Sequence, residues 1–184
     1  MRFVFHLYGV KINTFFVILM SLSVLAFSCA PRPSGPAQTP DQTWLNIPLK
    51  DVRTDKQFKL SDFKGKVVLL ETMAVWCTTC VRQQIEIKKV DSRFRDEVVS
   101  ISLDIDPNEN EAILQKHALN NGFDWYWAVS STAMSQQLER AFGNAILNPP
   151  STPMVIIDRN QSPHLLRFGV KSAEELVREI EKYR

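Results

Sequence analysis

The chain is expected to fold as an α/β domain, a central mixed sheet with helices on both faces and a short N-terminal β-hairpin extension. Three observations predict it. Apolar runs at 67–70, 98–103 and 154–157 have the length and branched-residue content of buried strands. Segments of helical length separate them. A late pair of strands around Asp158-Arg159-Asn160 then leads into a last helix, which completes an alternating pattern.

The elements follow in order. Trp44 to Leu49 and Gln57 to Leu60 read as two strands around the polar turn VRTDK. Val67 to Leu70 follows a turn at Gly65. Residues 78–94 read as a helix with Val81, Ile85, Val90 and Phe94 on or near one face. Val98 to Leu103 is a buried strand, ending in the acidic turn Asp104-Ile105-Asp106-Pro107. Residues 109–120 form a helix with Ala112, Ile113, Leu114 and Leu119 as its apolar members, closed by Gly122 as a C-cap. Trp125 to Val129 is a short strand, and residues 132–142 a helix ended by Gly143. After the loop NAILNPPSTP come strands at Met154–Ile157 and Leu165–Phe168. Ser172 caps the last helix, which runs to about Lys182 and carries Glu174 and Glu175 in its first turn. The β–α–β units are expected to be right-handed crossovers.

The beginning of the chain reads differently. Residues 1–11 hold Arg2 and Lys11, and residues 14–28 form an uncharged apolar run. This is the pattern of a secretory signal. The run is short for a spanning helix, which needs about 20 residues, although a short anchor would also fit. Cys29 follows Leu25-Ala26-Phe27-Ser28, which resembles a bacterial lipobox, with bulky Phe27 where a small residue is usual. Lipidation of Cys29 is the expectation. Ala30 to Thr43 contains four prolines and few apolar residues, which suits an extended tether. The expected organisation is therefore a signal peptide or anchor at 1–28, a Pro-rich tether at 29–42 and one domain at 43–184. Of the 22 basic and 20 acidic residues, the leader takes two basic ones, which leaves 20 of each sign. A mature charge near zero gives no sign of a nucleic-acid surface.

The chemistry rests on Cys77 and Cys80. With three cysteines in all, one of them Cys29, a disulfide framework is excluded. The C-x-x-C sits where a buried strand ends and a helix begins, and there unpaired N–H groups and the helix dipole favour a thiolate. Cys77, on the outside of the turn, is placed to attack a disulfide. Cys80, one turn in and better shielded, suits a resolving thiol. A zinc site needs four ligands, and His117 and His164 stand alone without ligand spacing. A structural disulfide closing so short a loop would add little stability.

Glu71-Thr72-Met73-Ala74-Val75-Trp76-Cys77-Thr78-Thr79-Cys80 resembles the active-site segment of the thioredoxin-like superfamily, in which Trp precedes the first cysteine. Leu60 to Leu69, and Ser151-Thr152-Pro153 before Met154–Asp158, are similar to its TlpA/ResA-type branch of membrane-anchored thiol–disulfide oxidoreductases. The resemblance covers residues 43–184 and implies a thioredoxin-like fold. It implies that Glu71, six residues before Cys77, is a buried acid of raised pKa that takes the Cys80 proton. It implies substrate contacts at Trp76, Thr152 and Pro153, with Pro153 cis. Pro149 and Pro150 lack that match and read as loop stiffeners. Thr78-Thr79 lacks the proline or basic residue common in relatives. With no histidine between the cysteines, a reducing or exchanging role is favoured over strong oxidation.

The resulting expectation is an exported oxidoreductase facing the periplasm or cell exterior. Its partners would be proteins with disulfides, such as apocytochromes or copper-site proteins, and a membrane or extracytoplasmic electron donor. No metal or other cofactor is expected. The alternative is a chaperone holding Cu(I) on the same two thiolates. A peroxiredoxin-like peroxidase would want Thr where Ala74 stands.

Overall fold

The computed structural model describes residues 42–94 and 97–184. The expected signal or anchor, Cys29 and the tether to residue 41 lie outside the described residues.

A 3-10 turn at Thr43–Asn46 opens the domain. Strands β1 (Leu49–Lys50) and β2 (Gln57–Phe58) form a two-stranded antiparallel sheet. After a second 3-10 turn, Leu60–Phe63, come β3 (Val67–Met73), α1 (Thr78–Phe94), β4 (Val98–Asp104), α2 (Glu111–Asn121) and β5 (Tyr126–Val129). Then follow α3 (Thr132–Phe142), 3-10 turns at Asn144–Leu147 and Pro149–Ser151, β6 (Met154–Ile157), β7 (Pro163–Leu165) and α4 (Ala173–Tyr183). The main sheet has the order β5-β4-β3-β6-β7. β3, β4 and β5 run parallel, while β6 is antiparallel to β3 and β7 to β6. This is the mixed sheet the sequence predicts.

The central strand shows why the sheet is covered on both sides. All seven residues of β3 are buried, and successive side chains point to opposite faces. Val67, Leu69 and Met73 pack with α1, α2 and α4, through Ile87, Leu114 and Leu176 among others. Val68 and Leu70 pack with α3 and the N-terminal segment, through Met134, Leu138 and Trp44. Each such fully buried aliphatic side chain stabilises the fold by roughly 2 kcal/mol. The crossovers β3–α1–β4 and β4–α2–β5 step the same way across the sheet. Crossovers of one hand then place α1 and α2 on one face, as they are.

Several helix ends are as the sequence reads. Gly122 takes a left-handed conformation (φ 61°), and its N–H reaches the Ala118 and Leu119 carbonyls. Ser172 caps α4 by accepting from the Glu175 N–H.

Other expectations are corrected. Trp44–Asn46 is a 3-10 turn, so the first hairpin strand shrinks to β1. The last strand is Pro163–Leu165, beginning two residues earlier than read, and it pairs with Ile157, Ile156 and Val155 of β6. The buried face of α1 is Cys80, Gln83, Gln84, Ile87, Val90 and Phe94, while Ile85 is exposed. Two glutamines stand in this buried face because each has a polar partner there, Gln84 the Glu71 carboxyl and Gln83 the Lys171 backbone. On α2, Ile113 and Leu119 are exposed and His117 is buried instead. Among the described residues no helix is long and apolar enough to cross a membrane.

Candidate active site

β3 delivers the chain to the N-terminus of α1, and Cys77 is the residue just before the helix. Its sulfur accepts the Cys80 N–H at 3.1 Å, so Cys77 caps the helix with a sulfur where serine or aspartate would use oxygen. Cys77 and Cys80 are joined as a disulfide. The Thr79 hydroxyl lies 3.2 Å from the Cys77 sulfur and 3.2 Å from the Pro150 carbonyl. In the reduced protein the same N–H and hydroxyl would face a Cys77 thiolate and stabilise it. The pair is less open than the sequence suggests, since Cys77 keeps 2% of its exposure and Cys80 none.

The turn at Pro149–Ser151 closes over the pair. The Pro149 carbonyl oxygen is 3.3 Å from the Cys80 sulfur. Pro149 and Pro150, read from sequence as loop stiffeners, therefore supply carbonyls to the redox site. Thr152 follows in the left-handed region (φ 44°, ψ 59°) and makes the reversal into β6 itself. Every peptide bond among the described residues is trans, which corrects the cis expectation at Pro153. The left-handed Thr152 turns the chain where a cis bond was expected to. The Thr152 N–H is bonded to the Pro149 carbonyl, and the Pro153 carbonyl accepts from the Thr72 N–H.

Trp76 is 57% exposed, and its indole N–H donates to Asp106 at 2.6 Å. The Val75 N–H donates to Glu109 at 2.7 Å. The acidic turn after β4 thus grips the segment just before Cys77. Asp104, at the end of β4, is buried, and burial holds its carboxyl far above the usual range with Glu109 and Asp106 adding to the effect. The Asp106 carboxyl is held below its ordinary value by the Asn108 N–H and the Trp76 indole.

Glu71 lies within β3, fully buried, on the face that α1 covers. Burial pushes its carboxyl up to about 8, against opposing hydrogen bonds from Ser102 and Gln84 and the charge of Lys171. The Ser102 hydroxyl donates at 3.0 Å and the Gln84 amide at 3.3 Å, both to Oε2. Each donor is itself held: Ser102 by the Trp125 indole N–H at 3.0 Å, Gln84 by the His117 ring at 2.9 Å. Oε1 is buried without a hydrogen-bond partner. Gln84 sits one helical turn beyond Cys80 on the same buried face of α1, so the acid lies under the helix that carries the resolving cysteine.

The structure thus sets Cys77 and Cys80 at the helix end under the Pro149–Ser151 turn that leads into Thr152. Glu71 meets α1 one turn further along, at Gln84, Pro153 is bonded to the β3 backbone at Thr72, and Trp76 is exposed just before Cys77. Sequence reasoning missed Gln84, Ser102, His117 and Lys171. The adjacent Gln83-Gln84 in the buried stripe of α1 was a usable signal for the first. Nothing in sequence marks Lys171. Among the described residues no three His, Cys, Asp or Glu side chains converge as a metal site.

The redoxin family matches residues 35–162 of the chain. No curated protein sequence matches it closely enough to count as a relative. Among solved structures, DsbF of Mycobacterium tuberculosis is similar at TM-score 0.61 and 16% identity, covering 77% of this chain and 98% of that one. A secreted M. tuberculosis disulfide oxidoreductase homologous to Escherichia coli DsbE matches at 0.59 and 13%, covering 76% and 97%. The thioredoxin domain of a thiol-disulfide oxidoreductase from Bacteroides vulgatus matches at 0.59 and 19%, covering 74% and 91%. At these identities the likeness is one of fold, and the fold is the thioredoxin-like one of disulfide oxidoreductases. With the family matched over most of its length, the chain belongs to the redoxin family.

Proposed function

We propose that the chain is an extracytoplasmic thiol–disulfide oxidoreductase that reduces or exchanges disulfides in other proteins. The supporting observation is the Cys77–Cys80 disulfide at the start of α1, whose next turn reaches through Gln84 to a buried carboxyl with a raised pKa. In the reduced enzyme the Cys77 thiolate attacks one sulfur of a substrate disulfide. That S–S bond breaks, a mixed disulfide forms on Cys77, and the released substrate sulfur takes up a proton. Cys80 then gives its proton to the Glu71 carboxylate and attacks the Cys77 sulfur. The bond to substrate breaks, the second substrate sulfur leaves as a thiolate and takes up a proton, and the enzyme is left as the disulfide. A thiol donor at the membrane or outside it must return two electrons for each cycle.

Apocytochromes and copper-site proteins are the substrate classes we favour, because both must present reduced cysteine pairs in an oxidising compartment. The charged start, apolar run and Cys29 support export and tethering at a membrane. Trp76 and the Thr152–Pro153 turn are the proposed substrate contacts.

Expression of Cys80→Ser at its native location tests the reading. Mixed disulfides should accumulate on Cys77, disappear on reduction, and be absent when Cys77 is also serine. Absence of adducts together with tight Cu(I) binding by the reduced wild-type pair would replace the oxidoreductase with the chaperone.

A further inference from the structure

Lys171 is the one lysine or arginine among the described residues that is fully buried. A buried ammonium is costly unless something uses it. Its Nζ donates to the Thr152 carbonyl at 2.6 Å and to the Gly169 carbonyl at 2.7 Å. Its backbone is clamped by the Gln83 side chain, which accepts the Lys171 N–H at 2.7 Å and donates to its carbonyl at 3.2 Å. Among the described residues it makes no ion pair with a carboxylate.

Those tethers all lead to the surroundings of Glu71. Gln83 is the neighbour of Gln84, which donates to Glu71. Thr152 is two residues before Met154, which lies opposite Glu71 in the pairing of β3 with β6. The ammonium is therefore fixed at the turn into β6 and at Gly169, while α1 clamps the Lys171 backbone beside Gln84. Glu71 has one buried oxygen without a hydrogen-bond partner, and Lys171 has only neutral carbonyl acceptors. Each lacks the countercharge that the other carries.

We propose that Lys171 is a positioning residue of the redox site, held in place to act by its charge on Glu71 during transfer of the Cys80 proton. The proposal rests on the oxidoreductase reading above. In the resolving step the proton leaves the Cys80 thiol for the Glu71 carboxylate, and Lys171 stays protonated throughout. Its charge favours the carboxylate that must be present before the step. Burial lowers the ammonium itself to about 8, with Glu71 opposing that and Arg167 adding to it, so its charge is largely present at pH 7, where the step is assayed, and is lost as pH rises past about 8. The other groups facing this centre are Cys80 on α1, His117 on α2 through Gln84, Asp104 further along β4, and Glu175 on α4.

The test follows the Glu71 carboxyl by carbon-13 NMR in the full chain, alongside the rate at which a mixed disulfide on Cys77 is resolved. Lys171→Met keeps the aliphatic stem and removes the charge. The Glu71 midpoint should rise by about one pH unit, and resolution at pH 7 should slow by about tenfold. The slowing should not appear when Lys171→Met is made on Glu71→Gln. An unmoved midpoint, or equal slowing on the Glu71→Gln background, overturns the proposal. Should Lys171→Met fail to fold, the Lys171 nitrogen-15 signal of the wild type decides. It should shift as Glu71 titrates and lose that step in Glu71→Gln, and a signal without the step overturns the assignment. The carboxyl titration needs no turnover. An enzyme inactive on every disulfide would therefore sink the oxidoreductase reading while leaving the coupling measurable.

Discussion

Replacing Glu71 by glutamine should make the oxidised protein more stable at neutral pH. The carboxyl is fully buried and its folded pKa is about 8, against an ordinary 4.5. Between those values the folded chain holds more protons than the unfolded chain. Stability is therefore full below about pH 4.5 and falls as pH rises through the folded value. The slope approaches about 1.4 kcal/mol per pH unit. From pH 4.5 to 7 the loss accumulates to about 3 kcal/mol. Glutamine has nearly the same shape, keeps an oxygen for the Ser102 and Gln84 donors, and cannot ionise. Wild type and variant should match near pH 4, and the variant should gain up to about 3 kcal/mol at pH 7. That figure is an upper value, because the change also takes from Lys171 the carboxylate that favours its charged form. Urea unfolding of both oxidised proteins from pH 4 to 8 measures the difference. A difference that stays flat with pH would refute the assignment of Glu71 as a buried titrating acid.

Alkylation of the reduced protein should be faster at Cys77 than at Cys80, because Cys77 carries the residual exposure and its sulfur accepts the helix N–H; mass mapping of the labelled peptides checks this, and equal rates would contradict the assigned roles. Mass spectrometry of the protein from its native host should find acyl chains on Cys29, whereas a free N-terminus beyond residue 29 would leave export without the lipid.

The redox pair was legible because its chemistry is local. A strand that ends at a C-x-x-C and a helix that begins there are set by residues within one stretch of chain, and backbone geometry alone then aims the helix N-terminus at the first sulfur. The buried strand β3 was legible for the same reason, as an unbroken apolar run at 67–70, and the resemblance then put the acid Glu71 at the end of that run. Helix caps such as Gly122 and Ser172 depend on neighbours three or four residues away.

The shell around Glu71 was not local. Gln84, Ser102, His117 and Lys171 come from four different segments, and only the stacking of α1, α2 and the loop before α4 on one sheet face brings them together. Thr152 and Pro153 show the same limit, since the resemblance suggested a cis bond where the chain has a left-handed threonine, whose carbonyl is held by the distant Lys171. The sheet, the helices and the reactive pair follow from periodicity and short-range geometry, and so could be read along the chain. The polar groups around the buried acid could not, because desolvation and charge act through space between residues far apart in the chain.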